Sequence, residues 1–326
     1  MIQTAIGKDI AKARALLERG LLVAIPTETV YGLAANALDP DAALHIFEVK
    51  GRPKFDPLIV HGADRERVAE FVQSFPEWAK TLSDKFWPGP LTLVLPKRQI
   101  IPDIVTSGLD TVAVRVPLNP LTHELLSQLE FPLAAPSANP FGYVSPTSPQ
   151  HVMDQLGGKI SYILNGGECS VGIESTIVTE LEGKIHILRL GGLSVEEIES
   201  VIGPVTLNAE PTDTGHSPGS LKHHYATKTP LLHGSIDINN LDSTTTGILS
   251  FQTRYAEIPL EHQVVLSPEG DLRKASKYLF AAMRHLDSLG LKVLLAEAFP
   301  NVGLGRAIND RLSRAATRLS GTTIEG

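Results

Sequence analysis

Residues 8–33, KDIAKARALLERGLLVAIPTETVYGL, read as a helix, a buried strand and a polar turn in succession. Ile10, Ala13, Leu16 and Leu17 recur at helical spacing over 8–19, and Gly20 ends the run. LLVAIPT (21–27) is a continuous apolar stretch stopped by proline, the pattern of a buried strand. IPTETVYGL (25–33) then places Thr27, Thr29 and Tyr31 at the strand's end. Hydroxyls there offer neutral donors to a polar ligand, and β propensity alone would also place threonine there.

Outward from this unit the alternation continues. Asp39-Pro40 opens a second helix with Ala43, Ile46 and Phe47 inward, Asp39 as its N-cap. PLIVH (57–61), LTLVLP (91–96) and TVAVRVP (111–117) read as strands, with helices near 64–74, 76–86 and 120–129 between them. PLAAPS (132–137), SYILNG (161–166), STIVTEL (175–181) and KIHILRLG (184–191) add strands, the last two close enough to form a meander. The fold class is α/β: a twisted mixed sheet with helices over 1–204. Residues 205–230 lack sustained periodicity and read as a linker, a possible active-site lid, ending in the donor-rich SPGSLKHHY. Over 231–326, TGILSF (246–251), HQVVLS (262–267) and LKVLLAEAF (291–299) read as strands of a smaller Rossmann-like parallel α/β domain. A helical stripe of Leu272, Ala275, Leu279, Ala282, Met283 and Leu286 and a last helix over 304–319 complete it.

Composition narrows the class. The 326 residues are 42% hydrophobic and 20% charged, ordinary globular usage rather than that of a disordered or fibrous chain. With 29 Lys plus Arg against 36 Asp plus Glu, the net charge of −7 disfavours a broadly basic nucleic-acid coat, while leaving room for a local phosphate pocket. A single cysteine, Cys169, excludes an intrachain disulfide and a cysteine-based zinc site, and reads as a small buried residue. The opening twenty residues read as a helix without a signal or transit peptide, and no apolar run reaches spanning length, so a cytoplasmic protein off the membrane is expected. The 27 glycines and 23 prolines in a chain otherwise rich in Val, Ile and Leu imply shaped loops, where ligands usually bind.

No P-loop, G-x-G-x-x-G, H-E-x-x-H or nucleophile-elbow motif is present. The informative segments lie elsewhere. K-G-R-P-K (50–54) gathers three cations at a helix end, either a solvated complement to the helix dipole or a clamp on phosphates. Arg115 sits in a strand of alternating valines, so it points away from their face and needs an anionic partner or a cavity. APSANPFGYVSPTSP (135–149) is a proline-stiffened loop bearing Ser137, Asn139, Ser145 and Thr147. GGECSVGIESTIV (166–178) leads a glycine turn into Ser175 and Thr176, and Arg189 closes the next strand. Lys50, Arg52, Arg115 and Arg189 around these hydroxyls suit an anionic, triphosphate-sized ligand.

P-T-E-T-V-Y-G-L, K-G-R-P, F-W-P-G-P-L-T-L-V-L, V-A-V-R-V-P, A-P-S-A-N and the following S-P-T resemble the YrdC-type threonylcarbamoyl-AMP synthases. The linker and second α/β block resemble that family's two-domain form. The resemblance implies a nucleotidyltransferase that makes threonylcarbamoyl-AMP and pyrophosphate from L-threonine, bicarbonate and ATP with Mg²⁺. The product would pass to a separate tRNA threonylcarbamoyl transferase. Thr29, His61, Arg115, Ala135 and Ser175 would line the threonine side. Arg52, Asp56, Thr111, Ser137, Asn139, Ser145, Arg189 and Tyr225 would line the ATP side, with Lys50 and Arg52 the catalytic cations and no dedicated protein ligand for the metal. The linker departs from the family pattern at Ser220, Lys222 and Thr227, and Asn165 stands where aspartate is common. An RNA-binding module using the basic concave face is the rival reading, against which the net charge weighs.

Overall fold

A computed structural model describes residues 2–207, 225–238 and 242–317. Two compact units divide the chain. One comprises residues 1–141 and 145–222, the other Gly142–Val144 with everything from His223 on.

In the first unit the strands are β1 (Ala5–Gly7), β2 (Val23–Ile25), β3 (Gly32–Asn36), β4 (Ile59–His61), β5 (Leu91–Pro96), β6 (Thr111–Arg115), β7 (Leu133–Ala134), β8 (Tyr162–Leu164), β9 (Thr176–Leu181), β10 (Lys184–Arg189) and β11 (Thr206–Leu207). They form one mixed sheet in the order β1-β8-β2-β3-β7-β4-β6-β5-β9-β10-β11. Helices α1 (Ile10–Glu18), α2 (Pro40–Lys50), α3 (Arg65–Ala69), α4 (Glu77–Phe86), α5 (Asp103–Thr106), α6 (Pro120–Ser127), α7 (Pro149–Leu156) and α8 (Val195–Ile202) accompany it.

The apolar run at 21–25 is explained by two-sided burial. Val23 and Ile25 join the α1 and α6 residues Ala13, Leu17, Leu125 and Leu126, while Ala24 joins the main core with Leu33, Ile46 and Phe47. Asp39 caps α2 as read, accepting from the Asp41 and Ala42 amides with Pro40 in the first turn. The opening segment is not helix throughout: Ala5–Gly7 is an edge strand parallel to β8 before α1 begins. Gly32 and Leu33, read as the end of a turn, instead open β3, which forms a hairpin with β2. The helix read over 64–74 is a single short segment, Arg65–Ala69. β9 and β10 pair antiparallel, as the meander reading has it.

The second unit is a four-stranded parallel sheet, ordered β12 (Leu231–Gly234), β15 (Val293–Glu297), β13 (Thr246–Ser250), β14 (Gln263–Val265), with α9 (Leu272–Asp287) and α10 (Leu304–Ala315). The stripe on α9 is buried as read from Ala275 to Leu286. Leu272 at its start is only half-buried, and Phe280 joins the buried face. Gly305, in the first turn of α10, lies so close to the Pro300 carbonyl that a Cβ would stand 1.9 Å from it, so the chain packs tightly where it enters this helix. Among the described residues no helix is long and apolar enough to cross a membrane. Of the 205–230 segment read as a linker and possible lid, residues 208–224, with Ser220, Lys222, His223 and His224, lie outside the described residues. At its start Thr206 and Leu207 pair with β10 as β11, and residues 225–230 belong to the second unit.

Candidate active site

Strand alternation builds a two-zone face on the first unit's sheet. Along β6, Val112 and Val114 point into the main core, leaving Thr111, Ala113 and Arg115 on the opposite face. β4 repeats this: Leu58 and Val60 face the core, Ile59 and His61 the other side. The parallel register sets Ile59 beside Ala113 and His61 beside Arg115. Ile59, Val94, Ala113 and Ile177, with Leu188 packed against them, form an apolar floor separate from the core. Arg115, His61, Thr92, Ser175 and Arg189 make a polar rim beside it.

Each rim residue has a traceable anchor. Arg189 is re-aimed by a register shift between Ile187 and Arg189, which places it opposite Ile177. Its Nε and Nη2 donate to the Ser175 carbonyl at 3.1 and 3.0 Å, and Nη2 to Ser175 Oγ at 3.1 Å. Ser175 Oγ also lies 2.7 Å from Thr92 Oγ1. Gly191 permits this packing, since a Cβ there would stand 2.4 Å from the Glu174 carbonyl. Thr29 is fully buried, its hydroxyl 2.8 Å from that of Thr27. Ala135 hydrogen-bonds the Ile59 carbonyl through its amide.

The arginine of β6 has its anionic partner. Arg115 Nη2 donates to Glu28 Oε1 at 2.5 Å, and its Nε to the Gly89 carbonyl at 3.2 Å. Beside it, His61 is buried, and its Nδ1 makes no hydrogen bond among the described residues. Burial first, and the Arg115 charge second, lower its pKa from 6.5 to about 3, so the ring is neutral at physiological pH. The unfolded chain protonates this histidine below about pH 6.5 while the folded one resists down to about 3. Stability is therefore expected to fall by roughly 1.4 kcal/mol per pH unit across that window on its account. Urea unfolding of wild type and His61→Gln across pH 4–7 checks this: the variant's slope is expected to be shallower by that amount.

K-G-R-P is a hinge between helix and site rather than a row of free cations. Gly51 at φ 62° ends α2 in the left-handed region. Lys50 Nζ donates to the Ser137 and Asn139 carbonyls, both at 2.5 Å, and the Lys50 carbonyl accepts from the Phe141 amide at 2.8 Å. Burial, then the neighbouring Arg52, pull the Lys50 pKa well below the ordinary lysine value, against an opposing pull from Asp56. Arg52 Nη2 pairs with Asp56 Oδ1 at 2.9 Å and donates to the Pro57 carbonyl. Lys54, third of the cations in the segment, is exposed.

Ser145 is fully buried and donates to Glu174 Oε1 at 2.6 Å. Thr111 opens β6 opposite Pro96. Asn139 is buried, its Nδ2 donating to the Pro140 carbonyl. Tyr225 belongs to the second unit, where its ring stacks on Phe280 at 5.4 Å and lies under Arg311 at 5.1 Å. Cys169 is buried, its thiol pKa pushed up mainly by burial, which leaves it protonated. Asn165 accepts from the Gly167 amide at 3.0 Å and shapes the glycine turn, which Tyr31 also holds through Gly166 and Gly167.

Sequence reasoning passed over three site residues: Glu28, Glu174 and Thr92. Their signals were present. Glu28 stands inside P-T-E-T, Glu174 precedes Ser175, and Thr92 interrupts an apolar strand on the face opposite Leu91 and Leu93.

Comparison with known proteins shows the family. A family profile described as "Telomere recombination", the Sua5/YciO/YrdC family, matches residues 15–191. One described as "Threonylcarbamoyl-AMP synthase, C-terminal domain" matches residues 193–317. The threonylcarbamoyl-AMP synthase of Pyrococcus abyssi is 41% identical over 93% of this chain and 93% of its own length. That of Bacillus subtilis is 40% identical over 94% and 93%. The crystal structure of P. abyssi Sua5 complexed with L-threonine superposes with a TM-score of 0.87 at 38% identity, covering 97% of both chains. With both profiles present in order and full-length relatives of this similarity, the chain belongs to the threonylcarbamoyl-AMP synthase family, in its two-domain form.

Proposed function

We propose that the chain is a nucleotidyltransferase that joins L-threonine, bicarbonate and the AMP moiety of ATP, releasing pyrophosphate. The observation that carries this is the pairing of Arg115 with His61 on neighbouring strands, next to the Thr92–Ser175 hydroxyls and the apolar floor. A buried guanidinium suits an amino acid's carboxylate, and the neutral imidazole beside it adds a polar contact without a competing charge. The relative solved with L-threonine supports the choice of amino acid.

Arg115 would hold the threonine carboxylate, with Thr29, His61, Ala135 and Ser175 around the rest of the molecule. Arg52, Asp56, Thr111, Ser137, Asn139, Ser145 and Arg189 would hold the nucleotide, whose base could lie on the apolar floor. Mg²⁺ brought in with ATP would offset the charge of its phosphates, and Tyr225 would be a further nucleotide contact. The threonine ammonium releases a proton to solvent; its amine then bonds to the bicarbonate carbon, and the bicarbonate hydroxyl leaves with a second amine proton as water. A carbamate oxygen then bonds to the α-phosphorus, and the bond to pyrophosphate breaks. No covalent enzyme nucleophile is required; holding two anions in register while fixed cations spread the developing charge is the main task. The product would supply a tRNA threonylcarbamoyl transferase, which fits a cytoplasmic enzyme.

Lys50, Arg52, Arg115 and Arg189 are 4%, 7%, 4% and 5% exposed, each tied to the protein, an arrangement poorly suited to grip an RNA backbone from outside. Pyrophosphate release is expected only with threonine, bicarbonate and ATP together, in a coupled phosphate assay with each omitted in turn. Release at the same rate without threonine overturns the reading.

A further inference from the structure

We infer that Glu28 is a positioning residue that sets which edge of the Arg115 guanidinium faces the substrate; this rests on the reading of Arg115 as the threonine carboxylate partner. Glu28 is only 5% exposed and fixed at three points. Its carbonyl accepts from the Val171 amide at 2.7 Å. One carboxylate oxygen takes Arg115 Nη2 and the other the Leu118 amide at 2.9 Å. The carboxylate thus ties the Arg115 side chain to the backbone that leaves β6. The turn that delivers Glu28 is itself rigid, since Thr27 Oγ1 accepts from the Thr29 and Val30 amides at 3.1 and 3.2 Å.

An arginine offers five N–H groups on two forked edges, one through Nε and Nη2 and one through Nη1 and Nη2. Gly89 and Glu28 occupy the first edge. No hydrogen bond forms at Nη1 among the described residues. The end-on fork is therefore the one left for a planar carboxylate. Without Glu28 the side chain could rotate or withdraw, and misplacement by about 1 Å is enough to cost up to about 100-fold.

Two roles for Glu28 predict opposite signs. If it only offsets the charge of Arg115, its removal strengthens the field on an incoming anion and tightens threonine. If it positions Arg115, removal weakens threonine although the net charge at the site becomes more favourable. The test is calorimetric titration of the full-length protein with L-threonine, alongside KM for threonine and ATP, in Glu28→Ala and Glu28→Gln. Expected is a loss of threonine affinity of about tenfold or more for alanine, with the ATP KM within about twofold. Glutamine, which keeps an acceptor for Arg115 but cannot accept from Leu118 with its amide nitrogen, is expected to lose less. Unchanged or tighter threonine binding in a folded variant, or an equal loss for both substrates, overturns the inference. Should alanine fail to fold, glutamine carries the same comparison. Failure of the wild type to release pyrophosphate with threonine would instead sink the reading of the site itself, and the inference with it.

Discussion

Replacing Arg115 by alanine is expected to raise the threonine KM by about 100-fold while the ATP KM moves by less than about threefold. Hydrogen bonds to a charged group contribute about 1.5–3 kcal/mol each, and a fork supplies two of them in one plane. Neither Arg52, which is paired with Asp56, nor Arg189, which is aimed over Ser175, replaces that guanidinium. The substitution also leaves Glu28 buried without its cation, and removing one partner of such a pair costs roughly 3–5 kcal/mol of stability. The double variant Arg115→Ala, Glu28→Gln separates the effects: it is expected to recover much of the thermal stability and none of the threonine affinity. Initial rates with each substrate varied in turn measure the split. A raised ATP KM with unchanged threonine KM would invert the assigned layout.

Arg115 also shows how far strand reading reaches. A period of two across T-V-A-V-R is enough to place the guanidinium opposite the valines, and β6 does so. The same rule finds Ala113 and Ile59 on the floor. Period alone does not reveal the partner, because Glu28 is 87 positions away along the chain and arrives through a turn without periodicity. Short elements were hidden for another reason. Ala5–Gly7 and Gly32–Asn36 are strands by virtue of their neighbours β8 and β2, while their own residues, Ala, Gly and Asn among them, have little β preference. The clustered cations of K-G-R-P-K were legible as a group, but their division was not. The left-handed turn at Gly51 sends Arg52 inward and leaves Lys54 outside, a consequence of backbone geometry rather than of residue type.

The second large effect is expected at Lys50. Lys50→Met should lower kcat/KM for ATP by about 100-fold and leave the threonine KM within about threefold. The ammonium holds the Ser137 and Asn139 carbonyls, and the same residue's carbonyl holds Phe141. Methionine approximates the length of the side chain but offers neither carbonyl a donor, and a hydrogen bond to a charged group contributes about 1.5–3 kcal/mol. The Ser137 carbonyl keeps the Asn139 amide at 3.0 Å. The segment that carries Ser137 and Asn139 then loses its side-chain attachment to α2 and keeps the backbone bond from Phe141, whereas Arg115 and His61 sit on sheet strands fixed by other contacts. Lys50→Arg decides whether charge or shape matters. Guanidinium keeps the charge but needs a wider, planar seat than two carbonyls that converge on one nitrogen. If Lys50 acts by bracing this segment, arginine is expected to do no better than methionine. Recovery of most of the ATP efficiency by arginine would mean instead that a positive charge near the phosphates is what Lys50 supplies, however the loop is held.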